Sequence, residues 1–233
     1  MPRDEAPSIT PSDLLRAYSL GFFPMARERD DDQILWVRPD KRGVIPLHGL
    51  KISRSLKKRV RNAGFEVSVD RDFDAVIAAC AEETEDRPET WINRPIETLY
   101  RQLAEIGFAH SVEVRREGAL VGGLYGIALG SAFFGESMFS RETDASKVAL
   151  VHLVARLNAA GYRVLDAQFI NPHIARLGAV EIDRSVYEGV LDEALTTTAD
   201  FAAAPIDHCD AAFVLSLAAS ASAPSSGATS VVR

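Results

Sequence analysis

Two polar side chains in one short segment have the types and spacing needed to bind an amine. Asp166 and Gln168 lie two residues apart in residues 163–169, "RVLDAQF", a pattern that predicts a strand. Residues two apart in a strand project from the same face, so the carboxylate and the amide would form a polar pair. Such a pair can accept hydrogen bonds from an amine and orient it. A strand end that meets solvent has the same pattern, and the pair alone does not separate the two interpretations.

A third polar residue, Glu136, stands in a segment that otherwise lacks charge. Residues 130–140 read "GSAFFGESMFS", and a carboxylate in such surroundings is costly unless something pairs with it. If a parallel crossover joins this strand to residues 163–169, Glu136 and Asp166 approach one cavity. Apolar residues would form its walls: Leu124, Phe133, Phe134 and Met138. An apolar pocket with a few converging polar groups is typical of a small-ligand site, although Phe and Met in strands more often form simple core.

The sequence lacks the usual motifs of metal and cofactor sites. Four of its histidines are scattered without HxH or HExxH spacing, so no metal site is expected: His110, His152, His173 and His208. Ser137 is not part of a GxSxG motif. The glycines at 122, 123 and 126 lack the order GxGxxG, so they favour close strand packing over a phosphate loop.

The charge distribution is uneven along the chain. The formal net charge of −7 argues against indiscriminate binding of nucleic acid. Residues 51–61, "KISRSLKKRVR", nevertheless hold six basic residues and no acid, and such a segment can contact phosphates. On spacing alone, a solvated helix face is the more common explanation.

Compartment signals favour the cytoplasm. The two cysteines, Cys80 and Cys209, are far apart and lack CxxC spacing, which is typical of a protein in a reducing environment. The first ten residues have no apolar core and are not a signal peptide.

Residues 118–135 carry no charge and approach the length of a spanning helix. Their six glycines and the turn at 129–131 favour two buried strands instead.

The order of elements predicts an α+β fold. A small N-terminal domain is expected over residues 1–45, a larger domain over 46–200, and a C-terminal extension over 201–233, largely disordered from about 211. Three strands over 109–115, 120–129 and 132–139 should form an antiparallel meander. A long helix over 145–159 should then lead to a strand parallel to its neighbour, giving a mixed, mostly antiparallel sheet.

Eight segments in order carry a resemblance to a known family. They are "LLRAYSLGFFPM", "RGVIPL", "ISRSLKK", "TWIN", "AHSVEV", "LVGGLYGIALGSAFFGESMFSRETDASKVALVHL", "LDAQF" and "LGAVEI". From about Ser12 to Tyr187, the chain resembles leucyl/phenylalanyl-tRNA–protein transferases. The resemblance implies transfer of leucine or phenylalanine, with methionine as a further candidate, from aminoacyl-tRNA to a protein with N-terminal arginine or lysine. This transfer marks that protein for N-end-rule degradation. It also implies no cofactor, and a small N-terminal domain followed by a domain like the acyl-CoA N-acyltransferase fold.

The resemblance also suggests roles for individual residues. Asp166 and Gln168 match the pair at the family's reacting centre, and Glu136 matches the acid of its "GESMFS" block. We expect Asp166 and Gln168 to hold the attacking amine and Glu136 to bind a cation. Three aromatic residues match positions that line the donor site: Tyr18, Trp91 and Tyr100. The pocket for the donor side chain would be formed by Leu124, Phe133, Met138, Leu153, Leu157 and Leu165.

Departures from the family pattern leave the donor preference open. Met25 stands where many members have tryptophan, which would weaken stacking on a terminal adenosine. Leucine replaces larger pocket residues at several positions, so the ranking of leucine, phenylalanine and methionine does not follow from the sequence.

The resemblance changes the interpretation of the basic segment. Its residues Arg54, Lys57, Lys58 and Arg61 become the expected contact for the tRNA acceptor stem, because RNA duplexes are recognised mainly through shape and phosphates. No coiled-coil repeat suggests self-association, so a monomer is expected.

Two other functions are alternatives. One is an acyl-CoA-dependent N-acyltransferase, but residues 139–149, "FSRETDASKVA", lack the glycines of a pyrophosphate loop. The other is a non-catalytic RNA-binding module, which would leave the three polar residues without a role.

Overall fold

A computed structural model describes residues 9–84, 88–204 and 210–219 of the chain. The helices are α1 (Pro11–Ser19), α2 (Arg54–Asn62), α3 (Phe73–Ala81), α4 (Arg94–Glu105), α5 (Ala145–Ala159), α6 (Pro172–Arg176), α7 (Arg184–Leu195) and α8 (Ala211–Ala219). The strands are β1 (Phe23–Met25), β2 (Leu35–Val37), β3 (Lys41–Val44), β4 (Glu66–Val69), β5 (Ala109–Arg116), β6 (Ala119–Leu129), β7 (Ala132–Ser140), β8 (Val164–Gln168) and β9 (Val180–Asp183).

One seven-stranded sheet organises the molecule, in the order β4-β5-β6-β7-β8-β3-β9. Its neighbouring strands are antiparallel except β7 and β8, which are parallel. A parallel pair needs a long crossover connection, and α5 provides it. The predicted α+β class, with a mixed and mostly antiparallel sheet, is confirmed.

The two faces of the sheet carry different helices. On one face α5 is buried along most of its length, with Val151, Leu153 and Leu157 in a core that also includes Leu56 of α2 and Leu215 of α8. On the other face α1, α3, α4 and α7 share a second core. Leucine and valine occur around most of the circumference of α5, so this helix has no continuous polar face to expose to solvent. It therefore packs between the sheet and α8.

The N-terminal region packs directly against the rest of the chain. Leu14 and Tyr18 of α1 lie in the same core as Ile77 of α3 and Leu103 of α4, and β3 is an internal strand of the main sheet. The sequence predicted neither β3 nor β9. The domain boundary near residue 45 stays a prediction.

The expectation of little order from about residue 211 is wrong for Ala211–Ala219, which form α8. Val214, Leu215 and Ala218 share one face of this helix and are buried against α5. The side-chain amide of Asn158 donates to the carbonyl of Leu217 at 2.8 Å. Apolar burial therefore outweighs the low-complexity composition here, and the tail from residue 220 lies outside the described residues.

Residues 118–135, the uncharged segment that approaches the length of a membrane-spanning helix, form most of the β6–β7 hairpin. Within the described ranges, no helix is both long enough and apolar enough to cross a membrane.

Candidate active site

The site opens where β7 and β8 separate. Their ladder pairs Ala132 with Val164 and ends at Phe134 opposite Asp166, although both strands continue beyond that point. Glu136 and Gln168 each lie two residues past the last pair. The structure brings them together, and Gln168 Nε2 donates to Glu136 Oε1 at 3.2 Å.

Two buried tyrosines hold the other carboxylate oxygen of Glu136. The hydroxyl of Tyr100, on α4, donates to Glu136 Oε2 at 2.8 Å. The hydroxyl of Tyr18, on α1, lies 2.6 Å from that of Tyr100, and since Tyr100 gives its proton to the carboxylate, Tyr18 donates to Tyr100. Burial raises the pKa of both tyrosines well above the usual value. Both therefore remain protonated donors at neutral pH.

Glu136 has an unusually high pKa for a carboxyl group. Desolvation in the protein interior is the largest cause, and the negative charge of Asp166 adds to it. The hydroxyls of Tyr18 and Tyr100 and the charge of Arg42 act in the opposite direction. The balance raises the pKa of Glu136 to about 7, so the group is divided between its two protonation states near physiological pH.

Asp166 borders the cavity described below, but its carboxylate is fully buried. Arg42 Nε donates to it at 2.9 Å and Tyr187 Oη at 2.7 Å, and the backbone amide of Gln168 donates at 2.8 Å. An incoming amine has no access to a carboxylate that is buried and already accepts these bonds. This arrangement differs from the expectation that Asp166 holds the amine directly, because the strand presents that side chain to an internal arginine.

Arg42 is itself held from several directions. Its Nη1 donates to the carbonyl of Gly21 at 3.0 Å. Its guanidinium lies 4.5 Å from the ring centre of Phe23 and 4.7 Å from that of Tyr187. Buried charges persist in proteins when they are paired and fully hydrogen-bonded, and Asp166 and Arg42 meet that condition.

The buried pair controls the backbone of Gln168. This residue has φ of 53°, in the left-handed region that side chains other than Gly, Asn and Asp rarely adopt. The bond from its amide to Asp166 Oδ1 stabilises the turn. Backbone strain of this kind is concentrated at functional sites, and here it directs the Gln168 amide toward Glu136.

A cavity of about 680 Å³ lies beside these polar groups, within the size range of small-ligand sites. Five residues expected at the donor site line it: Trp91, Leu124, Met138, Leu153 and Leu165. Two others do not. Phe133 is fully buried and stacks on Phe201 at 5.3 Å, and Leu157 is buried in the α5 core. Tyr18 and Tyr100 lie behind Glu136 instead of on the cavity wall.

A second cavity of about 140 Å³ shares one side with the first. Trp91, Glu136 and Gln168 line both. Met25, the residue at the family's usual tryptophan position, lines the smaller one. Glu136 therefore stands between a large, mainly apolar hollow and a small one.

The basic residues of α2 form an exposed face. Arg54, Lys57, Lys58 and Arg61 are exposed, while Leu56 anchors the helix in the core. Their spacing of three, four and seven residues places all four along one side. Contact of this face with RNA stays a prediction.

Comparison with known proteins identifies the family. The model of the leucyl/phenylalanyl-tRNA protein transferase family matches residues 44–192, which is more than half of the chain. The chain belongs to this family. The model of the family's N-terminal domain matches residues 8–40. A transferase of this name from Rhodopseudomonas palustris TIE-1 is 55% identical, over 87% of this chain and 90% of that protein.

Other leucyl/phenylalanyl-tRNA–protein transferases are similarly close. The protein from Paramagnetospirillum magneticum AMB-1 is 55% identical over 83% of this chain and 92% of its own. The protein from Cereibacter sphaeroides ATCC 17023 is 56% identical over 84% and 89%. The chain is therefore an aminoacyltransferase of the leucyl/phenylalanyl-tRNA–protein transferase family.

Sequence reasoning missed two residues that support the site of this transferase. Arg42 and Tyr187 both bind the carboxylate of Asp166. A buried carboxylate requires a cationic partner, which signals that an arginine or lysine must be near. The partner is 124 residues away in sequence, so no local pattern indicates which of the basic residues it is.

Proposed function

We propose that the chain transfers leucine or phenylalanine from aminoacyl-tRNA to the α-amine of proteins that begin with arginine or lysine. Methionine is a third proposed donor side chain, because it is apolar, flexible and of similar size. The product carries an N-end-rule degradation signal. The proposal includes a cytoplasmic location and action as a monomer without a cofactor.

The position of Glu136 between the two cavities is the observation that supports this function most. The larger cavity has apolar walls from Leu124, Met138 and Leu153, which suit the side chain of the donor. The smaller one brings a cationic N-terminus to the same carboxylate. The ester bond of the donor would lie between them, beside Glu136 and Gln168.

The pKa of Glu136 suits the removal of one proton from the acceptor. A protein α-amine has a pKa of about 8, so most of it is an ammonium ion at pH 7. Moving a proton from that ammonium to a carboxylate of pKa about 7 costs about 1.4 kcal/mol, whereas an ordinary glutamate at 4.5 would cost about 5 kcal/mol. Burial of Glu136 therefore lowers the cost of producing a nucleophilic amine.

The remaining steps follow from the chemistry of an activated ester. The neutral amine nitrogen attacks the ester carbonyl carbon, and the bond from that carbon to the 3′ oxygen of the tRNA breaks. A second proton passes from the nitrogen to the leaving oxygen, so the products are a peptide bond and a free 3′ hydroxyl. Gln168 positions the amine through its amide oxygen, and Asp166 acts as a positioning residue that holds the backbone of Gln168. Orientation of two substrates in this way lowers a barrier by several kcal/mol.

A transfer assay with radiolabelled leucyl-tRNA tests the proposal. We expect label in a protein that begins with arginine and none in the same protein after N-terminal acetylation. A parallel reaction with acetyl-CoA separates the acyl-CoA alternative. Absence of label from leucyl-tRNA and from phenylalanyl-tRNA would refute the proposed function.

A further inference from the structure

A third hollow lies between the start of α2, the start of α5 and the short helix α6. Its volume is about 210 Å³, equal to the share of about seven water molecules in the liquid. The lining residues are Lys51, Ser53, Ser55, Leu56, Asp144, Lys147, His173, Arg176 and Leu177. We call this the basic hollow. Lys51 begins the basic segment described above, whereas Lys147 and Arg176 lie outside that segment, and the proposed mechanism uses none of the three.

The basic hollow has a surplus of positive charge. Lys147 Nζ lies 2.6 Å from Asp144 Oδ1, so this carboxylate is neutralised within the hollow. Lys51 and Arg176 are exposed and have no carboxylate partner anywhere in the described parts of the chain. Three cations and one carboxylate leave a net charge of about +2. An anion is the ligand that such a surface attracts.

Uncharged donors accompany these cations. Burial lowers the pKa of His173, and the charges of Lys147 and Arg176 lower it further, so the imidazole is neutral at physiological pH and can donate one N–H. Ser55 also lines the hollow, and its hydroxyl lies 2.9 Å from that of Ser53. Charged groups combined with neutral donors are the usual set of groups that bind phosphate oxygens.

The backbone around the hollow is held in place. The amide of Lys51 donates to the carbonyl of Leu177 at 2.8 Å, which joins the segment before α2 to the end of α6. Gly178 has φ of 103°, and a Cβ on it would approach the carbonyl oxygen of Gly49 to 2.6 Å. This close contact requires glycine. The walls that carry Lys51 and Arg176 are therefore fixed relative to each other.

The hollow lies between the active-site cavity and the basic face of α2. His173 lines both the basic hollow and the 680 Å³ cavity, and Ser55 and Leu56 of α2 line the hollow. Because His173 borders both spaces, a nucleic-acid strand that leaves the cavity past this residue would enter the basic hollow beside Lys51 and Arg176. The hollow therefore adjoins both the apolar cavity and the start of the basic helix α2.

We propose that the basic hollow binds the phosphodiester groups of the donor's single-stranded 3′ end. This inference rests on the proposed function, because it places the donor ester in the 680 Å³ cavity. The hollow holds the backbone that connects the terminal adenosine to the acceptor stem, while α2 contacts the stem. Lys51 and Arg176 are binding residues for those phosphates, and they take no part in the chemical step.

Three leucylated donors of increasing length test this assignment. The first is 3′-leucyl-adenosine, which has no phosphodiester. The second is a leucylated CCA trinucleotide, which has phosphodiesters and no duplex. The third is complete leucyl-tRNA. The variants are Lys51→Gln, Arg176→Gln and their combination, with Arg163→Gln as a matched control because Arg163 is exposed at the opposite end of β8 from Gln168.

The expected result is a selective rise in KM. Each single variant should raise KM for the trinucleotide and for tRNA roughly 2- to 5-fold, the effect of losing one exposed ion pair. The combined variant should raise it roughly 5- to 20-fold. KM for leucyl-adenosine and all kcat values should stay unchanged. The slope of log KM against log salt for the trinucleotide should decrease by about 0.7 for each contact removed.

Two outcomes overturn the inference while leaving the proposed function intact. One is a wild-type KM for the trinucleotide in both single variants and in the combined variant, with activity like that of Arg163→Gln. The other is an equal rise in KM for leucyl-adenosine, which would place the two residues in the ester site or indicate a general structural defect. Melting temperatures matched to the control exclude misfolding. If the unmodified protein transfers leucine from none of the three donors and phenylalanine from none of the corresponding phenylalanyl donors, the proposed function itself is refuted.

Discussion

Replacing Glu136 by glutamine should stabilise the protein while removing most of its activity. The glutamine is nearly isosteric and its amide oxygen can still accept the hydroxyl of Tyr100. It cannot ionise, so it avoids the desolvation that raises the pKa of Glu136 from 4.5 to about 7. In the wild-type protein this shift favours the folded state only while the carboxyl is protonated. That contribution is present in full below pH 4.5 and is lost as the pH rises to 7.

The size of the effect follows from the shift of the pKa. A difference of about 2.5 pKa units corresponds to about 3 kcal/mol. The gain in unfolding free energy from Glu136→Gln should be about 1 kcal/mol at pH 5, about 2 kcal/mol at pH 6 and about 3 kcal/mol at pH 8. At pH 8 this corresponds to an increase in melting temperature of roughly 6–12 °C for a chain of this length. The rate of transfer should fall by about 10²- to 10³-fold, the usual effect of losing a proton acceptor.

Thermal unfolding between pH 5 and pH 8 measures the first effect, and labelled leucine transfer measures the second. Glu105→Gln is a suitable control because Glu105 is exposed at the end of α4, so its substitution should change stability equally at all pH values. A gain for Glu136→Gln that does not depend on pH would show that burial does not shift this carboxyl. Full activity at pH 7 would show that Glu136 does not take the proton.

Three further predictions concern the groups around the cavity. Tyr100→Phe removes a hydrogen bond that lowers the pKa of Glu136. The acidic limb of the plot of kcat/KM against pH should therefore move to higher pH. A limb that does not move would exclude Tyr100 as a hydrogen-bond donor to Glu136. Arg42→Met leaves the buried carboxylate of Asp166 unpaired. The free energy of unfolding, measured by urea denaturation, should fall by about 3–5 kcal/mol. Adding Asp166→Leu should recover part of that loss, and a purely additive double variant would contradict the pairing. Charge reversal of Lys57 and Lys58 should weaken tRNA binding and reduce its salt slope by about 0.9 for each contact removed, whereas unchanged affinity in a filter-binding assay would reject α2 as the docking face.

The sequence predicted the parts of the fold that have strong local patterns. Alternating residues separated by Glu117-Gly118 and Gly130-Ser131 predicted the meander of β5, β6 and β7, which the structure contains. The apolar helix α5 followed by a strand predicted the parallel pair β7–β8. From that pair alone, Glu136 and the polar residues of β8 were expected at one cavity. Glu136 and Gln168 do meet there, at 3.2 Å.

The elements that the sequence missed depend on partners far away in the chain. Lys41–Val44 and Val180–Asp183 are four residues each, and β3 begins with two basic residues and a glycine, which do not alternate like a half-buried strand. Both become strands because they pair with each other beside β8. The burial of Asp166 was missed for the same reason, since its orientation depends on Arg42.

The hydrogen-bond network around Asp166 and Arg42 also has a consequence for synthesis of the protein. Its parts come from Gly21, Arg42, Gln168 and Tyr187, which span most of the described chain. A ribosome-bound fragment that ends before residue 187 lacks one donor to the buried carboxylate. The hydrogen bonds around this carboxylate are therefore complete only after Tyr187 has been synthesised.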